Sequence, residues 1–308
     1  MTNKLLTLAL GCVIAFAGHA QVLEVESVST MPLGGDASMV GVGMSPQGDY
    51  VLLSSCEKRG LVKLDLKNGN KQTLTDAMGA GYGAVISPDG GTVLFYDNTF
   101  DRNHLRHVAV KAVDVATGVQ KELVKPSRDV SGLTISGNAA KVMAGGKMRA
   151  MSVGGAAVAE KSAVVSIRNR QLVLAADGKE TVLSPNGNDK SYLWPSVSPD
   201  GTKLLYYVSC DGAYVCNTDG SGVKRLGALR APQWYGNETV VGMNDTDDGY
   251  VVTKSAIVAK RLDGAEQQLT DDSVVAMYPL AAPQAGKIAF STPKGDIGII
   301  NVKNQSKQ

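Results

Sequence analysis

At 308 residues and a formal net charge of +2, the chain suits one large all-β domain or two ordinary ones. It carries no global field that would draw nucleic acid or an anionic membrane. Its 35 glycines, set among short Val, Leu and Ile runs, favour many strands and tight turns over long helices.

The first segment, "MTNKLLTLALGCVIAFAGHAQ", reads as a secretory signal peptide. Lys4 precedes an apolar run from Leu5 to Ala17, and small residues, Gly18 and Ala20, stand just before Gln21. The run is too short for a comfortable transmembrane helix. Strongly apolar sequence follows Cys12 and little precedes it, which argues against lipid anchoring there. Residues 1–20 are therefore set aside, and 21–308 are read as a single domain. That domain is expected to be exported, periplasmic or at the cell surface, with no transmembrane segment in the mature chain. It keeps Cys56, Cys210 and Cys216, an odd number that leaves a thiol unpaired or paired elsewhere. With Asp211-Gly212 as a two-residue turn, Cys216 would face Tyr207, too far from Cys210 to bridge.

From residue 45 the chain repeats itself. "MSPQGDYVLLSS", "ISPDGGTVLFYD" and "VSPDGTKLLYYV" each put a turn before a short apolar strand. Weaker versions start at Ile135, Gln233 and Leu280. A second apolar strand follows in each unit, then a polar strand with an apolar anchor near its end. The anchors are Leu74, Leu123, Leu183, Leu226 and Leu269, spaced 49, 60, 43 and 43 residues apart. Such a period with four short strands per unit predicts a β-propeller. The expectation is all-β: six four-stranded antiparallel blades, the third enlarged by an insertion around residues 148–161. The last unit lacks a fourth strand, and residues 22–30 form an orphan strand at the other end. An unpaired edge is a liability, so the N-terminal strand is expected to join the C-terminal blade and close the ring.

In "SPDG", Pro pre-sets the second position of a type I turn, Asp suits the third and Gly the fourth. The motif is therefore read as turn chemistry. Together the repeats resemble the TolB-type, WD-like propeller repeats of bacterial envelope proteins, over nearly the whole mature chain. The resemblance implies a six-bladed propeller, here without the separate α/β domain that precedes it in TolB.

Candidate contact residues follow from this frame. The "SPDG" turns share one face, so loops after the second strand and between blades lie on the other, where partners are to be sought. The richest is "YDNTFDRNHLRH", with Asp97, Asp101, Arg102, His104 and His107. His104 and His107 form H-x-x-H, whose members point apart on a strand, so no metal or cofactor is assigned. "NDTDDGY" imitates a calcium loop but has Ser255 where Glu is needed. It is read as a hairpin with Asp248-Gly249 at its tip. Tyr82, Trp194 and Tyr278 stand four or five residues before their turns, early in the inner strands, with Tyr192 beside them. Aromatics supply contact area at low entropic cost, so these join the candidate binding face, with packing between blades as the plainer reading. Trp234 is expected to pack between blades.

No nucleophile elbow, nucleotide-binding glycine loop or zinc spacing is present. The expected function is therefore a monomeric, non-catalytic recognition scaffold for an envelope protein or peptide, with no nucleic-acid partner. Two alternatives stand beside it: a ligand-binding or lyase- or hydrolase-type propeller using the channel mouth, and a regulatory module for a separate peptidase.

Overall fold

The computed structural model describes residues 21–34, 37–136, 139–153, 163–176 and 179–303. The expected signal peptide, with Cys12, and residues 154–161 of the expected insertion lie outside them. Among the described residues no helix is long and apolar enough to cross a membrane.

Strand β1 (Val25–Met31) precedes the repeats. Blade 1 is β2 (Met39–Met44), β3 (Tyr50–Ser55), β4 (Leu61–Asp65) and β5 (Lys71–Thr75). Blade 2 is β6 (Val85–Ile86), β7 (Thr92–Phe100), β8 (Arg106–Asp114) and β9 (Gln120–Ser127). Blade 3 is β10 (Val130–Ser136), β11 (Ala139–Ala144) and β12 (Lys147–Ser152). Blade 4 is β13 (Val164–Arg168), β14 (Gln171–Ala176) and β15 (Lys179–Leu183). Blade 5 is β16 (Tyr192–Val197), β17 (Lys203–Val208), β18 (Gly212–Asn217) and β19 (Lys224–Gly227). Blade 6 is β20 (Arg230–Trp234), β21 (Thr239–Asp247), β22 (Val252–Arg261) and β23 (Glu266–Gln268). Blade 7 is β24 (Met277–Ala282), β25 (Lys287–Ser291) and β26 (Ile297–Val302), with β1 antiparallel to β26 as its outermost strand. The first strand of each sheet touches the first strand of the next, all the way round.

The ring therefore has seven blades rather than the expected six. The 60-residue gap between Leu123 and Leu183 holds two sheets, each three-stranded among the described residues. Two features hide them. "KMRAMS", read as part of an insertion, is β12, paired to β11 from Ala139↔Ser152 to Ala144↔Lys147. The β13–β14 hairpin turns on Asn169 and Arg170, both left-handed, without any Ser-Pro. The closing strand was expected in the last blade and is found there, three residues later at its start.

The apolar runs of the second strands follow from their place. β3 and β11 are buried almost throughout, because both faces of a blade pack on neighbours. Successive side chains alternate between junctions. Tyr50 and Leu52 join Val93, Phe95 and Val113 between blades 1 and 2, while Val51 and Leu53 join Leu280, Ala289 and Ile297 between blades 7 and 1. The core is thus a set of inter-blade clusters around a ring. The anchors Leu74, Leu183, Leu226 and Leu269 are buried, but in blade 2 Val124 takes that place and Leu123 is half-buried.

The Ser-Pro turns join first to second strands, and their geometry explains each residue. Gly48, Gly90 and Gly201 donate their N–H groups to Ser45, Ser87 and Ser198 carbonyls at 2.8, 2.8 and 2.9 Å, and all three glycines are left-handed. The serines are buried. The Ser87 and Ser198 hydroxyls donate to Asp89 and Asp200 and accept from the N–H groups of Thr92 and Lys203. These bonds hold both carboxyls below the usual range. The turns also latch blades together. Gln47 and Tyr50 of blade 1 donate to the Pro88 and Gly90 carbonyls of blade 2, at 2.7 and 2.8 Å.

The β17–β18 connection departs from expectation. Val208 pairs with Gly212, leaving a three-residue turn, Ser209 to Asp211, with Cys210 left-handed. Cys216 consequently faces Leu204, not Tyr207. Cys56 and Cys210 are exposed, Cys216 is buried, and all three are free. Burial among tyrosines pushes the Cys216 thiol up to about 11, so it stays protonated and inert.

Candidate functional site

In the four-stranded blades the chain geometry sends the loops after second strands, and the loops entering each blade, to the face opposite the Ser-Pro turns. Inner strands begin on that loop face. There they share a distortion. Gly83, Gly132, Trp194, Ala231 and Tyr278 each lie within two residues of the start of an inner strand, and each has φ between 46° and 62°. In blades 5, 6 and 7 the next residue is proline, and the pairing register breaks around each pair: Trp194-Pro195, Ala231-Pro232 and Tyr278-Pro279. These are β-bulges, where a proline without an N–H group is tolerated. A bulky residue in the left-handed region stores about 1–3 kcal/mol of strain, which the surrounding structure must hold.

That strain turns side chains outward. Trp194 is 42 % and Tyr278 36 % exposed, and Tyr82, in the loop before Gly83, is 58 % exposed. The Trp194 ring meets Tyr207 edge-on at 5.2 Å. Tyr192 does not belong with them. It is 1 % exposed, its hydroxyl accepts from Asn186 N–H and donates to the Gly187 carbonyl, and its ring packs edge-on to Tyr206 at 5.6 Å. Tyr192 stands two residues before Trp194, where a regular strand would give both the same face, and the register break between Leu193 and Ser196 parts them. Trp234 packs between blades 5 and 6, as expected.

The segment 96–107 is less a loop than the end of a long hairpin. Thr92↔Asp114 through Phe100↔Arg106 are paired, so His107 and Asp97 lie on strands. Asp97 holds Lys111 at 2.6 Å. The turn is organised by Asp101, whose Oδ1 accepts from Asn103 and Leu105 N–H and whose Oδ2 meets His107 Nε2 at 3.1 Å. The Leu105 N–H first, then His107, hold the Asp101 carboxyl below its usual range. His104 is left-handed at the turn and Arg102 is exposed. Among the described residues no three His, Cys, Asp or Glu side chains converge as metal ligands would. The second acidic stretch is the β21–β22 hairpin, with Asp248 and left-handed Gly249 at its tip and Tyr250 almost fully exposed.

One constellation was not anticipated. Arg230 begins the inner strand of blade 6, and its Nη1 meets Asp245 Oδ2 at 2.5 Å. The Asp245 side chain is 2 % exposed and its Oδ1 is buried without a partner. Asp247 stands 3.8 Å from the same nitrogen. Burial raises the Tyr207 hydroxyl, while nearby Arg230 and Asp245 pull it in opposite directions, so tyrosine, guanidinium and carboxylate share one environment. The signal was in the sequence: "LWPSV", "RAPQW" and "MYPLA" are the same phrase in three blades, and Arg230 opens the middle one.

Neither a family model nor a curated protein matches the chain. Among solved structures it is similar to virginiamycin B lyase from Staphylococcus aureus, with 14 % identity, 90 % of this chain and 99 % of that one covered, and a TM-score of 0.58. A chain of a mitotic checkpoint complex gives 12 %, 94 %, 100 % and 0.57 in the same order. The putative TolB from Agrobacterium tumefaciens gives 16 %, 86 %, 90 % and 0.52. At such identities the likeness carries the β-propeller fold, common to a lyase and a TolB alike, and nothing of the chemistry.

Proposed function

We propose that the protein is an exported, non-catalytic propeller that recognises an envelope protein or peptide through its loop face. The observation that carries this reading is the row of strained, outward aromatic residues at the mouth of the ring, Trp194 and Tyr278 above all. Strain held at a repeated position, where a relaxed small residue would fit, has a reason other than stability. Large exposed aromatics on a stiff ring are ready to bury area on binding without ordering a loop.

The test is photo-cross-linking in cells. A photoreactive residue replacing Trp194 is compared with one replacing Asp89, in the Ser-Pro turn of the opposite face. Capture of a discrete partner from position 194 alone is the expected result. Equal capture from both positions overturns the reading. So does robust turnover of glycan oligomers by the purified chain.

A further inference from the structure

Blade 6 interrupts the aromatic row. Trp194 and Tyr278 hold the left-handed position in blades 5 and 7, and Ala231 holds it between them. The small side chain puts no ring at that position, and the residue before it is Arg230. Arg230 pairs with Met243 across the sheet, and Met243 Sδ accepts the Tyr278 N–H at 3.3 Å. On the other side, Tyr207 touches Trp194. The guanidinium, 37 % exposed, thus lies near Tyr207, which touches Trp194, while the backbone of Tyr278 is reached through Met243.

Its charge is held from beneath. A carboxylate as buried as Asp245 has little water to stabilise it, so the pair fixes the guanidinium strongly in place. Only Nη1 is engaged. The Nε and Nη2 groups make no hydrogen bond to the described residues, and Asp247 lies beyond hydrogen-bond reach while its own Oδ1 accepts the Gly249 N–H at 3.0 Å. A fixed guanidinium with a free two-donor edge matches a planar carboxylate.

We infer that Arg230 anchors a carboxylate of the bound peptide, with Trp194 and Tyr278 as flanking walls and Asp245 as the positioning residue. This rests on the recognition reading above and names the chemistry it selects. Asp247 competes mildly for the same guanidinium. Asp245 already neutralises Arg230, so a ligand carboxylate gains from the directed Nε and Nη2 edge and not from net charge, and a cationic ligand is the competing outcome of the test.

Tryptophan emission reports on the site directly, because the chain has two tryptophans and the second, Trp234, is buried. The mature chain is titrated with N-acetyl-Ala-Ala-Leu, with its C-terminal amide, and with N-acetyl-Ala-Glu-Ala amide, using Trp194→Phe as background. The free acid is expected to change the emission saturably at about 1 mM or below, and the amide about tenfold more weakly. The glutamyl peptide separates a side-chain carboxylate from a chain end. Asp247→Asn should tighten the acid about twofold. Arg230→Met would strand a buried charge, so it is paired with Asp245→Asn. This double variant, with its melting checked, should bind acid and amide alike. The inference falls if amide equals acid in the unaltered chain, if the double variant still discriminates, if no peptide saturates, or if N-acetyl-Ala-Lys-Ala amide binds best. Cross-linking from position 194 separates the two failures. Capture undiminished in the double variant removes the anchor and leaves the face, whereas no capture in the unaltered chain removes the face.

Discussion

The seam where blade 7, closed by β1, meets blade 1 and the junction between blades 3 and 4 make an instructive pair. At the seam the chain passes from β1 in blade 7 to β2 in blade 1, and Val51, Leu53 and Leu64 pack on Leu280, Ala289 and Ile297, Gly41 N–H donates to Ser291 Oγ, and Lys287 Nζ donates to the Gly48 carbonyl. Between blades 3 and 4 the buried cluster among the described residues is Met143, Val164 and Ala175. The chain crosses both junctions once, so its continuity does not set them apart. What holds each junction is the apolar area its two sheets exclude from water. The seam also carries the widest sequence separation in the molecule, so its strength is acquired late: residues 25–31 cannot pair until β26 exists.

The comparison is broken most directly at the seam. Deleting residues 21–31 removes β1 and the buried Val22 and Leu23, whose N–H groups both bond Gln267 Oε1, and bares Ile300 and Val302. Two lost core side chains at about 1.5–3 kcal/mol each, with a whole strand pairing besides, rival the ~5–15 kcal/mol that holds a typical domain. Loss of the cooperative melting transition is expected by circular dichroism. A deletion chain melting like the parent would show that the ring closes without its N-terminal strand.

A finer measurement ranks the junctions without altering them. Native-state amide exchange should find β11 and β14 opening at least about 2 kcal/mol more easily than β3 and β25. Equal protection all round would mean that the ring opens as one unit and that the sparse cluster between blades 3 and 4 is no weak point.

The same contrast explains what was readable beforehand. Blades 1, 2 and 5 announce themselves because a buried serine, a proline, an Asp and a left-handed glycine are all needed to build one turn. The closing strand was readable because an unpaired edge is costly. The extra blade was not, because blades 3 and 4 have no Ser-Pro between their first two strands and β12 is too polar to look like a strand: Lys147, Arg149 and Ala150 are exposed on it. The aromatic row was half readable. Position relative to the turn located Trp194 and Tyr278, but the same rule put Tyr192 at the surface, since no pattern in the sequence shows a bulge reversing the alternation. Arg230 escaped because its partner Asp245 is fifteen residues away across a hairpin and looked like part of an acidic turn.

The smallest expected effect bears on the strain itself. Ala231 has φ of 46° and precedes proline, a conformation that an L-residue adopts at a penalty of about 1–2 kcal/mol and glycine adopts freely. Against this, glycine loosens the unfolded chain by about 0.4–1 kcal/mol. Ala231→Gly should therefore stabilise the protein slightly, by ~0.5 kcal/mol, read as a rise in denaturant midpoint at unchanged slope. Trp194→Gly relieves the same strain but also removes the ring contact with Tyr207, so it should gain less or lose. If Ala231→Gly instead destabilises, the left-handed bulges are the relaxed state of these inner strands. The aromatic row would then be a by-product of closing a ring, with no stored strain to explain.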